Sequence, residues 1–202
     1  MFTGIIQDIG IIVSIKKYNN FLQWIVQLYN IDATKLLLGS SISCNGCCLT
    51  IKSITNNTVC VDLIKETLKI TNLRFLHIGQ QINIERSVKF GEEIGGHLVS
   101  GHIMTTATIY KNITYNYNKT LWIKLNQVSF MKYIFCKGFI CIDGVSLTIG
   151  HVKKNMFCVF LIPETMLNTT IGNKMVGDLV NLEIDFLTKV IVDSVDRFMS
   201  KI

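Results

Sequence analysis

The sequence predicts an all-β protein that contains two similar small barrels in tandem, followed by a single C-terminal α-helix. Two observations lead to this fold class. The second half of the chain repeats the first, and each copy holds about six short segments rich in Ile, Val, Thr and Phe. Short strands separated by turn residues within about 90 residues are typical of a closed antiparallel barrel. A repeat of this length indicates two whole domains rather than a solenoid.

The repeat consists of ordered identities separated by 98 positions, as between Gly46 and Gly144. The start of the chain matches only after a one-residue shift, which pairs Thr3-Gly4 with Ser100-Gly101. We therefore expect domains at 1–97 and 98–186, with a tail at 187–202 that belongs to neither copy. The other matching pairs are Trp24-Ile25 with Trp122-Ile123, Leu49-Thr50-Ile51 with Leu147-Thr148-Ile149, Val61 with Val159, Leu63-Ile64 with Leu161-Ile162, Glu66-Thr67 with Glu164-Thr165, Gly79 with Gly177, Asn83 with Asn181, and Glu85 with Glu183.

The predicted elements follow from runs of β-formers and from the turn residues between them. The dipeptides Asn45-Gly46 and Asp143-Gly144 are strong hairpin signals, and turn formation alone is enough to explain them. We expect further hairpin turns at 56–57 and 154–155, and short helical turns near 33–37 and 65–73 with counterparts in the second copy. The predicted strands are 10–15, 21–28, 41–44, 49–54, 58–64 and 81–85 in the first copy, and 103–110, 120–126, 139–142, 147–151, 156–162 and 179–184 in the second.

The tail is predicted to form an amphipathic helix, because its apolar residues recur at helical spacing. Asp193 precedes Arg197 by four positions on the polar face, the order that supports a helix. The apolar face requires a partner, and packing on its own chain and packing on another subunit are equally compatible with the pattern. The residues of this face are Leu187, Val190, Ile191, Ser194, Val195, Phe198 and Met199.

Composition excludes several classes of protein. The chain has 202 residues, of which 49% are hydrophobic and 17% charged, so disorder is not expected. The net charge of +6 comes from scattered lysines and arginines, and nucleic-acid binding requires them to be clustered. The seven cysteines suggest no disulfide framework and indicate a reducing compartment. No signal peptide or apolar run of membrane-spanning length is recognisable, so we expect a cytoplasmic protein with no membrane partner.

The segment 43–50 holds the first candidate site. Cys44 and Cys47 have the spacing of a zinc-binding pair, but their counterparts in the second copy are Ile142 and Val145. We therefore expect both thiols to be buried as small apolar groups. Cys48 corresponds to Ser146, which exchanges one potentially nucleophilic group for another. These two residues form the expected functional pair, and the alternative is that each one only ends a turn.

The second candidate is the end of a strand in each copy, at 62–67 and 160–165. Both segments contain Glu-Thr after an apolar run, with an apolar wall suited to a flat ring. The start of a helical turn capped by Thr67 or Thr165 explains the same residues. A turn that presents Cys or Ser beside such a strand end offers donors and acceptors to the edge of a heterocycle such as a pterin.

The third candidate is the glycine-rich segment 95–102, which leads into the second copy. His102 aligns with Ile5, so it is an asymmetric feature of the second copy. A lone histidine is more often structural than catalytic. Gly95 and Gly96 suggest that the backbone approaches a ligand closely here.

At these residues the chain resembles riboflavin synthase of the trimeric alpha-chain family, which contains two lumazine-binding repeats. The resemblance covers the chain from end to end. It implies two six-stranded Greek-key barrels and a C-terminal helix, assembled as a homotrimer with the active site between the N-barrel of one subunit and the C-barrel of another. The matching motifs are 1–5, 45–50, 65–68, 95–102, 137–139, 143–148 and 163–165.

The resemblance also implies a reaction: two molecules of 6,7-dimethyl-8-ribityllumazine dismutate to riboflavin and 5-amino-6-ribitylamino-2,4(1H,3H)-pyrimidinedione, without metal or organic cofactor. Lys137 is expected to reach a ligand of a neighbouring subunit, and association with lumazine synthase is left open. The ring contacts implied are Gly4, Ile5, Ile6, Cys48, Leu49, Thr50, Asp62, Leu63, Ile64, Lys65, Glu66 and Thr67 in the first copy, and Gly101, His102, Ile103, Ser146, Leu147, Thr148, Phe160, Leu161, Ile162, Pro163, Glu164 and Thr165 in the second.

Four residues are candidates for proton transfer or nucleophilic assistance, namely Ser146, Cys48, His102 and Asp143. The sequence leaves the assignment of base and nucleophile among them open. Two alternatives remain for the whole chain. One is a non-catalytic lumazine- or flavin-binding protein on the same duplicated barrel. The other is a tandem barrel that binds single-stranded RNA, for which the expected stripe of exposed aromatic and basic residues is missing from the strands.

Overall fold

A computed structural model of the protein describes residues 1–201, which contain two closed antiparallel barrels and a C-terminal helix. The all-β fold class and the six strands per copy are confirmed. Barrel 1 consists of β1 (Asp8–Lys17), β2 (Phe21–Gln27), β3 (Ser41–Cys44), β4 (Cys47–Thr55), β5 (Thr58–Ile64) and β6 (Gln81–Arg86). Barrel 2 consists of β7 (Thr105–Tyr115), β8 (Asn118–Leu125), β9 (Phe139–Ile142), β10 (Val145–Lys153), β11 (Met156–Leu161) and β12 (Leu179–Ile184).

Both barrels have the same strand order. In barrel 1 the order is β1-β2-β5-β4-β3-β6, and β6 closes the barrel by pairing with β1. Strands β3, β4 and β5 form consecutive hairpins, and β2 lies beside β5, which is the Greek-key arrangement. Barrel 2 repeats this order with β7 to β12.

Short helices connect the strands at equivalent places in the two barrels. They are α1 (Lys65–Ile70) and α2 (Pro163–Asn168), with 3-10 turns at Ala33–Lys35, Asn72–Phe75, Val128–Tyr133 and Thr170–Asn173. Thr67 and Thr165 lie inside α1 and α2, and the residues at the N-caps are Ile64 and Ile162. The interpretation of the two threonines as helix caps is therefore wrong.

At β2 and β8, the residues that correspond in the structure are 97 positions apart, one fewer than in the sequence match. Trp24 is fully buried and pairs with Val61 on β5, whereas Trp122 is only partly buried and pairs with Cys158 on β11. The true counterpart of Trp24 is Leu121, which is buried and pairs with Val159. A slip of one residue moves a side chain to the other face of a strand, so the match between the two tryptophans is coincidental.

The hairpin turns have the backbone that their sequences predict. Asn45 and Gly46 have φ of 46° and 81°, and Asp143 and Gly144 have φ of 45° and 86°. Positive φ at both central residues defines the tight hairpin turn that Asn-Gly and Asp-Gly favour. The two turns also meet each other, since a Cβ on Gly46 would lie 2.7 Å from the amide nitrogen of Gly144. The barrels therefore contact through these turns.

The tail forms α3 (Phe186–Met199), capped by the Asp185 side chain, which accepts a hydrogen bond from the amide of Thr188. It packs on its own chain at the turn 128–133, where the Tyr133 hydroxyl donates to Asp193. Its apolar face remains exposed, with Ile191 at 63% and Phe198 at 66% of their full exposure. Within residues 1–201, none of the helices combines the length and apolar character needed to cross a membrane; α3, the longest, has 14 residues.

Candidate functional site

Each barrel carries one groove at the equivalent strand ends. The N groove lies on β4, β5 and α1, has a volume of about 430 Å³ and is lined by Cys48, Leu49, Thr50, Lys52, Asp62, Ile64 and Thr67. The C groove has a volume of about 380 Å³, and its lining includes Gly4, Ile5, Ile6, Ser146, Glu164 and Thr165. Each volume lies in the range of small-molecule sites.

The segments that precede the two barrels are exchanged between them. Segment 2–6 leads into β1 of barrel 1 but lies on barrel 2, where the carbonyl of Gly4 accepts a hydrogen bond of 2.8 Å from the amide of Ser146. Segment 99–103 leads into β7 of barrel 2 but lies on barrel 1, where the carbonyl of Gly101 accepts a hydrogen bond of 2.8 Å from the amide of Cys48. We call these the crossed segments. The C groove therefore contains residues from both halves of the chain, and the crossed segment 99–103 is bonded beside the N groove at Cys48.

The side chains at the ends of the crossed segments support the exchange. Ile6 packs against the core of barrel 2, and Ile103 is buried in the core of barrel 1. Gly4 and Gly101 have φ of 76° and 82°, and a Cβ on either one would lie 2.5 Å from the Cβ of Ser146 or Cys48, respectively. Glycine is required at both positions for conformation and for space.

Ser146 has a histidine partner that the sequence did not single out. The imidazole Nδ1 of His97 lies 2.7 Å from the Ser146 hydroxyl, and its ring stacks on Phe139 with the centroids 5.1 Å apart. Burial lowers the pKa of His97 below its usual range, and the nearby Asp185 carboxylate opposes part of this shift. A neutral imidazole on a serine hydroxyl is suited to accept a proton.

The predicted histidine and aspartate have other positions. His102 is exposed on the crossed segment 99–103. Asp143 is fully buried between the barrels, where its Oδ1 accepts hydrogen bonds from the Asn72 side chain (3.0 Å) and the Asn181 amide (2.7 Å). The ammonium group of Lys174 lies 3.1 Å from the other carboxylate oxygen. This environment favours a structural role for Asp143 at the barrel contact rather than a role in a groove.

The two grooves differ in charge at one equivalent position. In the N groove Asp62 forms an ion pair of 2.8 Å with Lys52 and accepts a hydrogen bond of 3.0 Å from Gln23. In barrel 2 the counterparts of Lys52 and Asp62 are Gly150 and Phe160, and a Cβ on Gly150 would lie 2.5 Å from the Phe160 ring. The N groove is therefore bordered by charge, whereas the corresponding face of barrel 2 is aromatic.

The remaining predicted contacts fall into two groups. The side chains of Ile64, Lys65 and Glu66, and those of Phe160, Ile162, Pro163 and Glu164, are exposed at the strand ends, as are Thr50 and Thr148. Leu49, Leu63, Leu147 and Leu161 point into the barrel cores, so any contact with a bound ring is made by their backbone. Lys137 is exposed with φ of 70°, outside the residues that line either groove of its own chain.

The predicted burial of Cys44 and Cys47 is confirmed. They are paired opposite each other at the β3–β4 turn, and burial raises the pKa of both thiols well above the usual value. Within residues 1–201, the structure contains no cluster of three or more His, Cys, Asp or Glu side chains arranged to hold a metal ion.

His97 and Gly96 are the site residues that the sequence reasoning missed. Gly96 passes Ser146 so closely that a Cβ would lie 2.6 Å from the serine Cβ and 2.2 Å from the carbonyl oxygen of Thr3. The available signal was the glycine pair beside His97, which was interpreted as an approach to a ligand. In the structure it is an approach to Ser146 and Thr3.

The tandem barrels belong to the class of lumazine-binding proteins, as comparison with known proteins shows. The model of the lumazine binding domain family matches residues 3–87 and again 100–185. Riboflavin synthase of Buchnera aphidicola subsp. Baizongia pistaciae is 55% identical over 98% of this chain and 94% of its own length. Riboflavin synthase of Escherichia coli K12 is 50% identical over 99% and 94%. The chain belongs to the riboflavin synthase family.

Solved structures agree on the fold. The structure of LumP complexed with riboflavin superposes with a TM-score of 0.84 at 26% identity, and covers 92% of this chain and 100% of that chain. LumP complexed with 6,7-dimethyl-8-(1'-D-ribityl) lumazine superposes with a TM-score of 0.82 at 24% identity, over 92% and 99%. The prediction of a riboflavin synthase relative is confirmed, as is that of a tandem pair of barrels.

Proposed function

We propose that the protein converts two molecules of 6,7-dimethyl-8-ribityllumazine into riboflavin and 5-amino-6-ribitylamino-2,4(1H,3H)-pyrimidinedione, by transfer of a four-carbon unit from one lumazine to the other. The observation that carries the proposal is that each barrel has a groove beside the same hairpin turn, with a different reactive group there: Cys48 in one and Ser146 in the other. A reaction between two copies of one substrate needs two similar sites, and the different roles of donor and acceptor need the sites to differ.

Much of the catalysis comes from holding two rings in register, because orientation replaces a bimolecular encounter. The rest is proton transfer. The 7-methyl group of the lumazine is acidic, and a base at the ring forms its carbanion. The Ser146–His97 pair is suited to this step, with neutral His97 as the acceptor of the proton through the Ser146 hydroxyl. Cys48 faces the second ring in the N groove, and His102 is a further candidate from its exposed position on the crossed segment 99–103.

The working assembly we propose is a homotrimer, with the N groove of one subunit facing the C groove of another. The exposed apolar face of α3 supports subunit contact, since an unpartnered stripe of this kind is typical of an interface. Lys137, which extends into solvent from barrel 2, is then placed to reach a ligand of the neighbouring subunit. The reaction on this proposal uses no metal or organic cofactor, takes place in the cytoplasm, and involves no nucleic acid or membrane. Association with lumazine synthase is compatible with it.

A non-catalytic lumazine- or flavin-binding protein is the second candidate, because LumP has the same tandem barrels. The sequence comparison favours the enzyme, since the relatives named riboflavin synthase are 50–55% identical over nearly the whole chain and LumP is 24–26% identical. The retained pair of reactive groups, Cys48 and Ser146, points the same way.

The decisive experiment is to incubate purified protein with the lumazine and to follow flavin absorbance together with loss of substrate. The expected result is one riboflavin per two lumazines consumed, unchanged after exhaustive chelation. Binding of lumazine without turnover would support the second candidate. A different product ratio, or loss of activity on chelation, would contradict the proposed reaction.

A further inference from the structure

The crossed segment 2–6 is held by one buried glutamate. Glu85, near the end of β6, accepts hydrogen bonds from the amide of Thr3 (2.6 Å), from the Thr3 hydroxyl (2.8 Å) and from the amide of Gly4 (3.0 Å). The carboxylate therefore uses both of its oxygens on two consecutive residues. This arrangement fixes the direction in which the segment leaves barrel 1.

The crossed segment 99–103 is held in the same way. Glu183, near the end of β12, accepts hydrogen bonds from the amide of Ser100 (2.7 Å), from the Ser100 hydroxyl (2.7 Å) and from the amide of Gly101 (3.0 Å). The two sites match contact for contact.

Each held residue passes the constraint to the opposite barrel. Gly4 donates through its amide to Glu85 and accepts through its carbonyl from the amide of Ser146, the residue that carries the reactive hydroxyl. Gly101 links Glu183 to the amide of Cys48 in the same manner. One glycine thus links a carboxylate of barrel 1 to the backbone of Ser146 in barrel 2, and another links a carboxylate of barrel 2 to the backbone of Cys48 in barrel 1.

Both glutamate carboxylates lie in surroundings that disfavour a negative charge. Glu85 and Glu183 are almost fully buried, and within residues 1–201 neither forms an ion pair with a lysine or arginine. Burial raises the pKa of both carboxyl groups, and the hydrogen bonds from the crossed segments oppose this shift. A buried carboxylate is costly unless its acceptors are satisfied, so these bonds are the reason that each glutamate is tolerated.

We propose that Glu85 and Glu183 are positioning residues for the reaction and that each acts across the boundary between the barrels: Glu85 sets the position of Ser146, and Glu183 sets the position of Cys48. The proposal rests on the proposed function, because it is there that Ser146 and Cys48 face the two substrate rings. Neither glutamate touches a groove-bound ring in this scheme.

Because each glutamate is linked to the opposite barrel, its substitution should affect the opposite barrel more than its own, which a general structural role would not predict. Glu85→Gln keeps the size of the side chain but turns an N–H donor toward the amide of Gly4 or Thr3, which breaks at least one bond. We expect the amide of Ser146, in the opposite barrel, to exchange its hydrogen about tenfold faster, because a charge-assisted hydrogen bond upstream is lost. The amide of Cys48 should keep its rate to within about twofold.

Glu183→Gln is the matched variant and should give the reverse result, with faster exchange at Cys48 and little change at Ser146. Hydrogen exchange is measured on the intact protein without substrate, by mass spectrometry of peptides that cover 46–50 and 144–148. The turnover number for riboflavin should fall by about tenfold in both variants, since the reaction needs both grooves. KM should change less, because the groove walls remain.

Equal acceleration of both amides in each variant would show a general loss of stability and would overturn the proposal, as would unchanged rates in both. Should either glutamine variant fail to fold, Thr3→Val and Ser100→Ala remove the hydroxyl donors to the two glutamates, together with the weak bonds of 3.4 and 3.3 Å that these hydroxyls accept from the amides of Ile5 and His102, and should show the same crossed pattern with smaller amplitude. A protein that shows the crossed exchange pattern but makes no riboflavin would contradict the proposed function and leave the Glu–amide connection intact as a structural device.

Discussion

Nδ1 of His97 lies 2.7 Å from the hydroxyl oxygen of Ser146, although His97 precedes the first strand of barrel 2 and Ser146 lies on its fourth strand, β10. The contact gives barrel 2 a hydroxyl with an adjacent base. In the part of the chain that the structure describes, the Cys48 thiol of barrel 1 has no histidine at hydrogen-bonding distance. The two grooves thus share an equivalent position, Cys48 in one and Ser146 in the other, and differ in whether a histidine lies beside it.

This inequality predicts different outcomes for two alanine substitutions. Ser146→Ala should lower the turnover number by about 100-fold, the usual contribution of one acid–base group, whereas Cys48→Ala should lower it by about tenfold. The melting temperature should change little in either variant, and riboflavin affinity should fall less than turnover because the backbone of the turn remains. Stopped-flow turnover and calorimetry provide the measurements. Equal and slight losses of turnover in the two variants would show that both residues have only a structural role.

The pH dependence of activity should report on His97. Burial keeps its folded-state pKa below the value of about 6.5 found in model peptides, so the ring remains neutral and able to accept a proton in mildly acidic solution. The acidic limb of the kcat/KM profile is therefore expected below pH 6.5. Between the two pKa values the unfolded chain binds the proton more readily, so stability should fall as pH drops through this range.

Asp185→Asn is the matched test of that assignment. Asparagine is also a good helix N-cap, so α3 should persist, while the carboxylate that raises the pKa of His97 is removed. The acidic limb should then move to still lower pH. A limb that stays in place, or one that moves toward neutral pH, would contradict His97 as the titrating group.

Gly96 provides a steric test with a neighbouring control. Gly96→Ala places a methyl group 2.2 Å from the Thr3 carbonyl and 2.6 Å from the Ser146 Cβ, so the crossed segment 2–6 and Ser146 must move. We expect turnover to fall by more than about tenfold, since small displacements of reacting groups are costly. Gly95→Ala meets only the flexible side chain of Ile5 at 3.2 Å and should retain most activity. Comparable kinetics for the two variants would argue against a positional requirement at Ser146.

The exposed face of α3 predicts the effect of a single charge on assembly. Ile191 is 63% exposed in the single chain and lies on the apolar stripe. Ile191→Glu should dissociate the proposed trimer into monomers, because burying an unpaired carboxylate in an apolar interface costs several kcal/mol. Arg197→Glu changes charge on the polar face and serves as the control. Sedimentation velocity measures both, and an intact trimer for Ile191→Glu would place the subunit contact elsewhere.

Much of the fold follows from local pattern. All twelve predicted strands are present, because alternating apolar residues and Asn-Gly or Asp-Gly turns specify them locally. The bounds agree at both ends for 41–44, 58–64, 139–142 and 179–184, whereas β7 extends five residues past its predicted end. The register between copies was harder. Trp24 and Trp122 match in the sequence but lie on opposite faces of their strands. The reason is that the second copy has one more residue between β8 and β9 than the first has between β2 and β3, so the 98-residue offset holds only after that point.

The site was predicted less completely, because some of its contacts depend on the path of the chain between the two barrels. Cys48 and Ser146 are found by comparing the copies, but His97 is brought to Ser146 by the path of the linker, which no local pattern encodes. The same applies to Gly4 and Gly101, whose partners lie in the opposite copy. His102 is the more conspicuous histidine in the sequence because of its motif, yet the chain path leaves it exposed.

The exchange of segments between barrels also determines how the site responds to dilution. Were the two barrels separate chains, each crossed segment would reach the opposite barrel only when the chains associate, and the fraction of barrels with a crossed segment in place would fall as the protein is diluted. One covalent linker converts that encounter into an intramolecular event with a high effective concentration. Both crossed segments are consequently in place at any protein concentration, so dilution affects only the subunit contacts of the proposed trimer.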